Sequence, residues 1–239
     1  MSIEKLEIEV APVTQESRAP SFLANSAYKQ VKAAILACHL RPGTMVFATE
    51  LAARYQMSPT PVHEALKALC QEGLMKLKPR RGYVVTEISP SDIEENFELR
   101  LLLEVAGASL AARRASPEEI AALKEQHARA RERMAAGWQE HSLAFLEAAS
   151  AGNTDFHVSV AAMSGNRRLA RTVAGLLEDA QRAFFLYNRS PAALSTDDHH
   201  GRIIQAIAAK GPDAAGEAMA AHLQEAQQRI SLAASQTLA

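Results

Sequence analysis

The chain has 239 residues, of which 26 are Lys or Arg and 27 are Asp or Glu, giving a formal net charge of −1. This balance excludes a uniformly basic coat protein and a disordered acidic tail. With 48% hydrophobic residues, the length is sufficient for two ordinary domains. No apolar run approaches the roughly 20 residues that cross a bilayer, and no export signal opens the chain. We therefore expect a cytoplasmic protein that has no membrane partner.

The charge is unevenly distributed along the chain. Residues 1–20 carry a net charge of −2, residues 21–90 of +5 and residues 91–239 of −4. The first of these segments shows no helical period, and we expect it to form a mobile arm. Ser89-Pro90 marks the passage into the acidic half. The predicted organisation is an arm at 1–20, a basic domain at 21–88 and a larger domain at 89–239.

Cys38 and Cys70 are the only cysteines. Both lie in apolar helical patterns, which predicts two reduced thiols in the core of a cytoplasmic protein. Neither cysteine is predicted to act as a ligand or a nucleophile.

The basic segment begins with helical patterns. Apolar residues from Tyr28 to Cys38 recur every three to four positions, and Arg41-Pro42-Gly43 ends this predicted helix. Residues 50–55 predict a short second helix, which a tight turn at 56–58 follows. A third helix is predicted with Thr60-Pro61 as its N-cap and first position. The inner face of the third helix carries Val62, Ala65, Leu66 and Leu69.

Two short apolar runs follow the third predicted helix. Leu74–Leu77 and Tyr83–Val85 are separated by residues 78–82, which contain three of the basic side chains. This pattern predicts a β-hairpin with a cationic tip. Three helices followed by such a hairpin form a winged helix-turn-helix.

This predicted domain is suited to DNA. A helix fits the major groove with its N-terminal residues near the base edges, and a cationic hairpin can reach neighbouring phosphates. The alternative is a protein-interaction module whose basic hairpin is merely solvated. The candidate DNA-binding residues are Thr60, His63, Glu64 and Lys67 on the helix and Lys76, Lys78, Arg80, Arg81 and Gly82 on the hairpin.

The segments PGTMV, ELAARYQMSPTPVHEALKALCQEGLM and KPRRGYVV resemble the N-terminal domain of GntR-type bacterial regulators, over roughly residues 24–88. That family usually has Arg at the positions of Pro59 and His63. A bidentate Arg–guanine contact contributes roughly 1–3 kcal/mol of discrimination, which neither Pro nor neutral His can replace. The resemblance therefore implies the fold and its placement in the groove, but not the family's usual operator sequence.

The second half of the chain predicts helices almost throughout. Ser89-Pro90-Ser91-Asp92 and Ser116-Pro117-Glu118-Glu119 are helix-start signals, and the second is a capping box. Breaks between the later helices are expected at Gly137, Ser164-Gly165, Ser190-Pro191 and Gly211-Pro212. These signals predict an all-α bundle of six or seven helices and no strand, so the chain as a whole is mainly α.

Three histidines can approach one interior point. Asn153 and His157 are four residues apart on one helical face, whereas Asp155 points roughly 200° away from both. His200 opens the penultimate apolar pattern, and His222 lies within the last one. Three imidazoles with an oxygen donor suit Zn²⁺ best, with Ni²⁺ and Mn²⁺ as alternatives. The competing interpretation is that these are unrelated interior histidines bonded to backbone carbonyls.

The segments FHVSVAAMSGNRRLA, HGRIIQAIAAKGPDAA and AMAAHL resemble the FCD effector domain of the FadR subfamily of GntR regulators. The resemblance implies that Asn153, His157, His200 and His222 are metal ligands. Asp is commoner at the position of Asn153, and a neutral amide oxygen is a weaker ligand. His199 is a further candidate ligand at this site.

FELRLLLEVAGASLAARRA resembles the first helix of the same domain and places Arg100 where that family has an effector-facing Arg. The alternative is a surface ion pair between Arg100 and Glu104, four residues apart. The two resemblances together cover about residues 24–230 in the expected order.

Together these observations predict a metal-dependent transcription regulator and not an enzyme. We expect a homodimer that binds an inverted-repeat operator in double-stranded DNA and responds to a small organic acid. A metal-dependent hydrolase and a winged-helix adaptor are the alternatives. The hydrolase alternative lacks an HExxH motif, paired carboxylates and a Ser/His/Asp arrangement.

Overall fold

A computed structural model describes residues 20–137, 143–187 and 198–238 of the chain. It divides into two compact units at residues 1–88 and 89–239. The predicted N-terminal arm lies outside the described residues, except for Pro20, which begins the first helix. Each unit is described separately below.

The first unit contains three helices and three short strands among its described residues. Their order is typical of a winged helix-turn-helix, which confirms the predicted fold of this segment. The elements are α1 (Pro20–Leu36), β1 (Met45–Val46), α2 (Ala48–Arg54), α3 (Pro59–Gln71), β2 (Met75–Lys78) and β3 (Gly82–Val85).

The start of α3 differs from the prediction by two residues. Ser58 is the N-cap and Pro59 the first helical residue, so the predicted start at Thr60-Pro61 was wrong. Both Ser-Pro and Thr-Pro satisfy the local rule for a helix start. Pro61 is tolerated as the third helical residue, because the N–H groups of the first turn have no intrahelical acceptor. The helix can therefore begin at the earlier Ser-Pro pair.

The two cysteines are less buried than the sequence suggested. Helix α1 ends at Leu36, and Cys38 follows with a left-handed φ of 53° outside the helix. Cys38 and Cys70 form no disulfide in the described structure, and both are of intermediate exposure and not fully buried in the core. The apolar pattern in the sequence continues beyond the end of α1 because the turn after this helix also contributes a buried residue, Leu40.

The predicted hairpin is present, with β2 and β3 antiparallel and Lys78 paired with Gly82. Strand β1, which the sequence analysis did not predict, pairs with β3 and completes a sheet of order β1-β3-β2. Gly82 has a φ of +93°, and a Cβ there would lie 2.8 Å from the carbonyl oxygen of Val46. Glycine is therefore needed where the wing passes close to β1.

One apolar core holds the first unit together. It joins the inner faces of the three helices to the sheet, with Val31, Leu51 and Leu66 almost completely buried. Tyr83 and Val85 of β3 complete this core. The core fixes α3 so that its opposite face, which carries the candidate DNA-binding residues, is exposed.

The second unit is all-α in its described residues. Ser89 and Asp92 form a capping box, and Ser116 and Glu119 exchange the same reciprocal hydrogen bonds, so both predicted helix starts are confirmed. The predicted break at Ser190-Pro191 lies outside the described residues. The helices are α4 (Pro90–Arg114), α5 (Pro117–Gly137), α6 (Leu143–Met163), α7 (Arg167–Tyr187), α8 (His199–Ala208) and α9 (Pro212–Leu238).

Helices α4 and α9 pack closely against each other because small residues line their contact. Ala108, Ala111 and Ala112 are fully buried in the core that α4 shares with α6, α8 and α9. A Cβ on Gly216 of α9 would lie 2.7 Å from the Ser109 hydroxyl oxygen of α4. None of the helices in the described ranges is both long enough and apolar enough to span a membrane.

Candidate functional site

The structure brings three of the predicted ligands together in the second unit. His157 of α6, His200 at the start of α8 and His222 of α9 each offer a ring nitrogen, and these three atoms lie within 4.8 Å of one another. The Nε2 atoms of His157 and His222 are 3.1 Å apart. Nitrogens bound to one Zn²⁺ at about 2.0–2.1 Å lie roughly 3.3 Å apart in a tetrahedral site, so the spacing of His157 and His222 fits a shared ion.

A buried carboxylate orients the first of these rings. Glu104 contacts Nδ1 of His157 with one carboxylate oxygen and accepts a hydrogen bond of 2.7 Å from Nε of Arg100 with the other. Burial alone would raise the pKa of Glu104, but His157 and Arg100 outweigh it and lower this pKa to about 2. Since Glu104 is ionised, it accepts from Nδ1 of His157, and Nε2 on the other side of the ring faces His222.

The alternative of a surface pair between Arg100 and Glu104 is wrong. The ion pair forms, but the two side chains are only 4% and 2% exposed. The guanidinium also lies over the Phe97 ring, 5.0 Å from its centroid. The i,i+4 spacing predicted the pair correctly but carried no information on its burial, because apolar neighbours from other helices cover it.

The remaining imidazoles have nitrogens that lack a protein partner. Nε2 of His200 and Nδ1 of His222 are buried and form no hydrogen bond in the described structure. Burial, reinforced by neighbouring histidines and Arg100, lowers the pKa of each of these two rings well below its ordinary value. Both rings are therefore neutral at physiological pH, the state in which imidazole binds a metal.

A cavity of about 400 Å³ adjoins the histidine cluster. Asn153 lines it together with His200 and His222, whereas Asp155 is exposed on another face of α6, as helical geometry predicted. Among the residues that the structure describes, the cavity wall contains four arginines and one carboxylate, that of Asp198. The arginines in this wall are Arg100, Arg131, Arg133 and Arg229.

Sequence analysis missed the role of Asp198. Its side chain caps α8 by accepting from the Gly201 N–H at 3.0 Å, and it contacts His127 Nε2 at 2.9 Å and Arg131 at 2.5 Å. Burial opposes ionisation of Asp198, but these contacts outweigh it and lower its pKa. The carboxylate thus joins α8 to α5 beside His200. The residue precedes a predicted helix start, so a cap was detectable, but its partners on α5 were not.

Two further histidines lie at the cavity. The His127 ring contacts His200 edge-on, with centroids 5.8 Å apart, and His199 is paired with Glu225 of α9. Each of these two histidines uses Nε2 for a carboxylate, that of Asp198 for His127 and that of Glu225 for His199, and the group whose nitrogens lie within 4.8 Å of one another is His157, His200 and His222. The cavity therefore has more histidines than the ligand set that the sequence predicts.

The candidate DNA-binding residues lie on two elements of the first unit. His63 of α3 contacts the hydroxyl of Tyr83 on β3, with 3.3 Å between Nδ1 and oxygen. This contact ties the helix to the wing. Gly82 is half-buried, and the exposed candidates are Thr60, His63, Glu64, Lys67, Lys76, Lys78, Arg80 and Arg81.

Comparison with known proteins identifies the family. Residues 23–85 match the bacterial regulatory proteins of the gntR family, and residues 95–225, more than half of the chain, match the FCD domain. The chain belongs to the GntR family of bacterial regulators. In this GntR-family protein the first match falls in the first unit and the second match in the second unit.

Relatives support the same assignment over most of this GntR-family chain. An uncharacterized HTH-type transcriptional regulator, YdhC of Bacillus subtilis, is 26% identical over 82% of this chain and 85% of its own. The Nta operon transcriptional regulator of Aminobacter aminovorans is 28% identical over 78% of this chain and 84% of its own.

Solved structures show the same fold. McbR/YncC of E. coli has a TM-score of 0.73 at 22% identity, over 90% of this chain and 98% of its own. A GntR regulator from Rhodococcus has a TM-score of 0.71 at 21% identity, over 87% of this chain and 96% of its own. The chain is a DNA-binding transcriptional regulator, and the hydrolase and adaptor alternatives are set aside.

The Asp198 cap predicts that Gly201→Ala changes the free energy of unfolding in opposite directions, depending on whether Asp198 is present. A Cβ on Gly201 would collide with the Asp198 carboxylate, so Gly201→Ala should displace the cap and cost about 1 kcal/mol of unfolding free energy. In an Asp198→Ala background there is no carboxylate to displace. The same substitution should then stabilise α8 by about 0.5–1 kcal/mol, because Ala is the better helix former.

Thermal and urea unfolding of the full chain would measure both effects. Asp198→Asn is the matched control, because Asn also caps helices well and should lose less stability than Asp198→Ala. If Gly201→Ala had the same effect in both backgrounds, the Asp198 cap would contribute nothing.

Proposed function

We propose that the FCD domain of this regulator binds a divalent metal ion, preferably Zn²⁺, and a small organic acid. Binding of the acid then changes the affinity of the protein for an operator. The observation that carries the proposal is the convergence of three imidazoles beside a cavity lined by several arginines. Coupling of roughly 1–3 kcal/mol between acid and DNA would be sufficient for regulation.

The ligands of the metal are proposed to be His157, His200 and His222, with the amide oxygen of Asn153 completing the protein donors. The buried, partnerless Nε2 of His200 supports this assignment, since an unsatisfied buried polar atom is costly. Glu104 would hold His157 in the correct tautomer. A bound cation would supply a positive centre for an anionic ligand.

The charge of the cavity supports an anionic effector. In the described part of the wall, four arginines and the carboxylate of Asp198 are present. Three of these arginines are ion-paired, and Arg100 is nearly buried. Glu104 occupies the Nε–H of Arg100, while its terminal N–H groups remain for a second partner. An organic acid that meets Arg100 would add negative charge to helix α4, which also carries the Glu104 contact to His157.

The metal proposal predicts a stabilisation that depends on His200. Zn²⁺ or Ni²⁺ added to chelator-treated protein should raise its melting temperature by mass action, with one ion bound per chain. His200→Ala should abolish most of the shift. Asn153→Asp should produce the rise in melting temperature at a lower metal concentration, because an anionic oxygen is the stronger ligand.

Differential scanning fluorimetry with elemental analysis would test the metal proposal. His39→Ala, in the other unit, and Asp155→Ala, exposed on α6, are controls that should keep the wild-type response. Protein that takes up no stoichiometric metal and shows no melting shift would overturn the proposal.

The operator is proposed to be contacted by the exposed face of α3 and by the wing. Removing two wing charges through Arg80→Ala with Arg81→Ala should weaken binding on all DNA sequences alike. It should also reduce the slope of log affinity against log salt by about 2, because each phosphate contact contributes about 0.9. Lys124→Ala with Arg129→Ala removes the same charge from exposed positions on α5 and should leave DNA binding unchanged.

Mobility-shift and anisotropy titrations at several salt concentrations would measure this effect. Unchanged affinity in the Arg80/Arg81 variant would show that the wing does not contact DNA.

A second copy of this chain is proposed to cover an exposed apolar strip on α4. Leu99 and Leu102 are 48% and 71% exposed there. Exposed Glu95 and Glu98 flank them on α4, and Arg171 of α7 lies toward the other end, since α7 runs antiparallel to α4. Two such faces related by a two-fold axis place each acidic end beside a basic end, which favours an isologous dimer.

The dimer proposal predicts that Leu102→Glu separates the subunits. Light scattering of the wild type should give about twice the 25.8 kDa chain mass, and that of the variant should fall towards one chain. Leu232→Glu, at a site 61% exposed on α9, is the matched control and should remain dimeric. A wild type that is monomeric at micromolar concentration, or a Leu102→Glu variant that stays dimeric, would contradict the proposed interface.

A further inference from the structure

The cavity beside the histidines extends well past them along the helices that enclose it. On α6 the lining residues run from Phe156 back to Phe145, eleven positions or about 16 Å of helix. On α9 they run from His222 to Ile230, eight positions or about 12 Å. A ligand that touched only the histidine end would leave most of this length unused.

The packing of α5 against α6 shows in which direction the cavity extends. A Cβ on Gly152 of α6 would lie 3.4 Å from the Cβ of Ala130 on α5, and Ser159 of α6 hydrogen-bonds Gln126 of α5. Helices α5 and α6 are therefore antiparallel. Consequently the later residues of α5 lie beside the earlier residues of α6, at the end away from the histidines.

The chemistry of the cavity changes along its length. The histidine end carries imidazoles, Asn153 and Arg100, whereas the far end is lined mainly by large apolar side chains and alanines, with the polar side chains of Ser150 and Gln181 among them. Phe145 and Ile230 there are only 6% and 7% exposed, so the far end has an apolar interior. The apolar residues that line the extension are Met134, Phe145, Phe184 and Ile230, with Ala148, Ala149, Ala180 and Ala226 between them.

Two arginines also lie at the far end of the cavity, but they do not change its apolar character. Arg229 is ion-paired with Glu225 at 2.9 Å, and Arg133 is exposed. Alanines on α6, α7 and α9 leave the space that larger side chains would fill. Such a site favours a ligand with one anionic end and a long apolar body, because apolar sites with a few convergent polar groups recognise amphipathic molecules.

We infer that the effector is a monocarboxylic acid with an apolar alkyl or aromatic body, such as a medium-chain alkanoic acid, in preference to a short hydroxy acid. This inference rests on the proposed function, since the carboxylate is assigned to the histidine and Arg100 end. The apolar body then occupies the extension between α5, α6, α7 and α9.

Calorimetric titration of the full chain with acetate, butyrate, hexanoate and octanoate tests the inference. Affinity should rise about fourfold for each methylene added, which corresponds to the ~0.8 kcal/mol gained per buried methylene. A loss of affinity with chain length, or an affinity independent of it, would overturn the inference while leaving acid binding itself intact. If none of the four acids binds, the inference is overturned, whereas the metal site of the proposed function is decided separately by the metal titration.

A variant that fills the extension gives a second measurement. Ala149→Leu places extra bulk on the lining face of α6 about 12 Å from His157 and should lower octanoate affinity at least tenfold, with butyrate nearly unchanged. Ala151→Leu is the matched control, because Ala151 is exposed on the same helix and outside the cavity wall. Equal loss of both acids in the Ala149 variant would place the alkyl chain elsewhere. The metal-dependent melting shift reports whether each variant is folded.

Discussion

The buried chain of contacts from Arg100 through Glu104 to His157 is the interaction on which the second unit depends most. Two opposite charges have been removed from water here, and only their mutual contact and hydrogen bonds offset the cost of desolvation. Loss of one partner from a buried pair typically costs about 3–5 kcal/mol, because the other charge is left uncompensated. The contact therefore fixes α4 against α6, holds His157 in one tautomer and keeps the Arg100 guanidinium at the cavity wall.

The same arrangement explains why the cavity has two chemical ends. The histidines are concentrated where α8 begins, near the carboxylates of Glu104 and Asp198 that contact His157 and His127. Beyond that point the helices contribute alanine and large apolar residues. Hydrogen bonds therefore position the side chains at the histidine end of the cavity, whereas the sizes of the apolar side chains determine the space at the far end.

Local signals predicted much of this structure. Ser89 and Ser116 were recognised as helix starts because a capping box is complete within four residues. The approach of His157, His200 and His222 followed from their places in three apolar helical patterns. The strand Met45–Val46 was missed because two residues carry no periodicity and pair only with a distant strand.

Other features required the folded chain. The Arg100–Glu104 pair was predicted from its spacing, but its burial depends on side chains from several helices. The partners of Asp198 lie about seventy residues earlier, on α5. Sequence reasoning reaches such contacts only when both members belong to recognisable patterns, and His127 belonged to none.

Helix α4 has a consequence that follows from its continuity. It runs unbroken from Pro90 to Arg114, and the chain leaves the first unit only two residues before it begins. Arg100 lies ten residues, or about 15 Å, from that beginning, with a firm cap and no internal proline or hinge between them. The residue proposed to meet the effector and the residues that lead to the first unit therefore lie on one continuous helix.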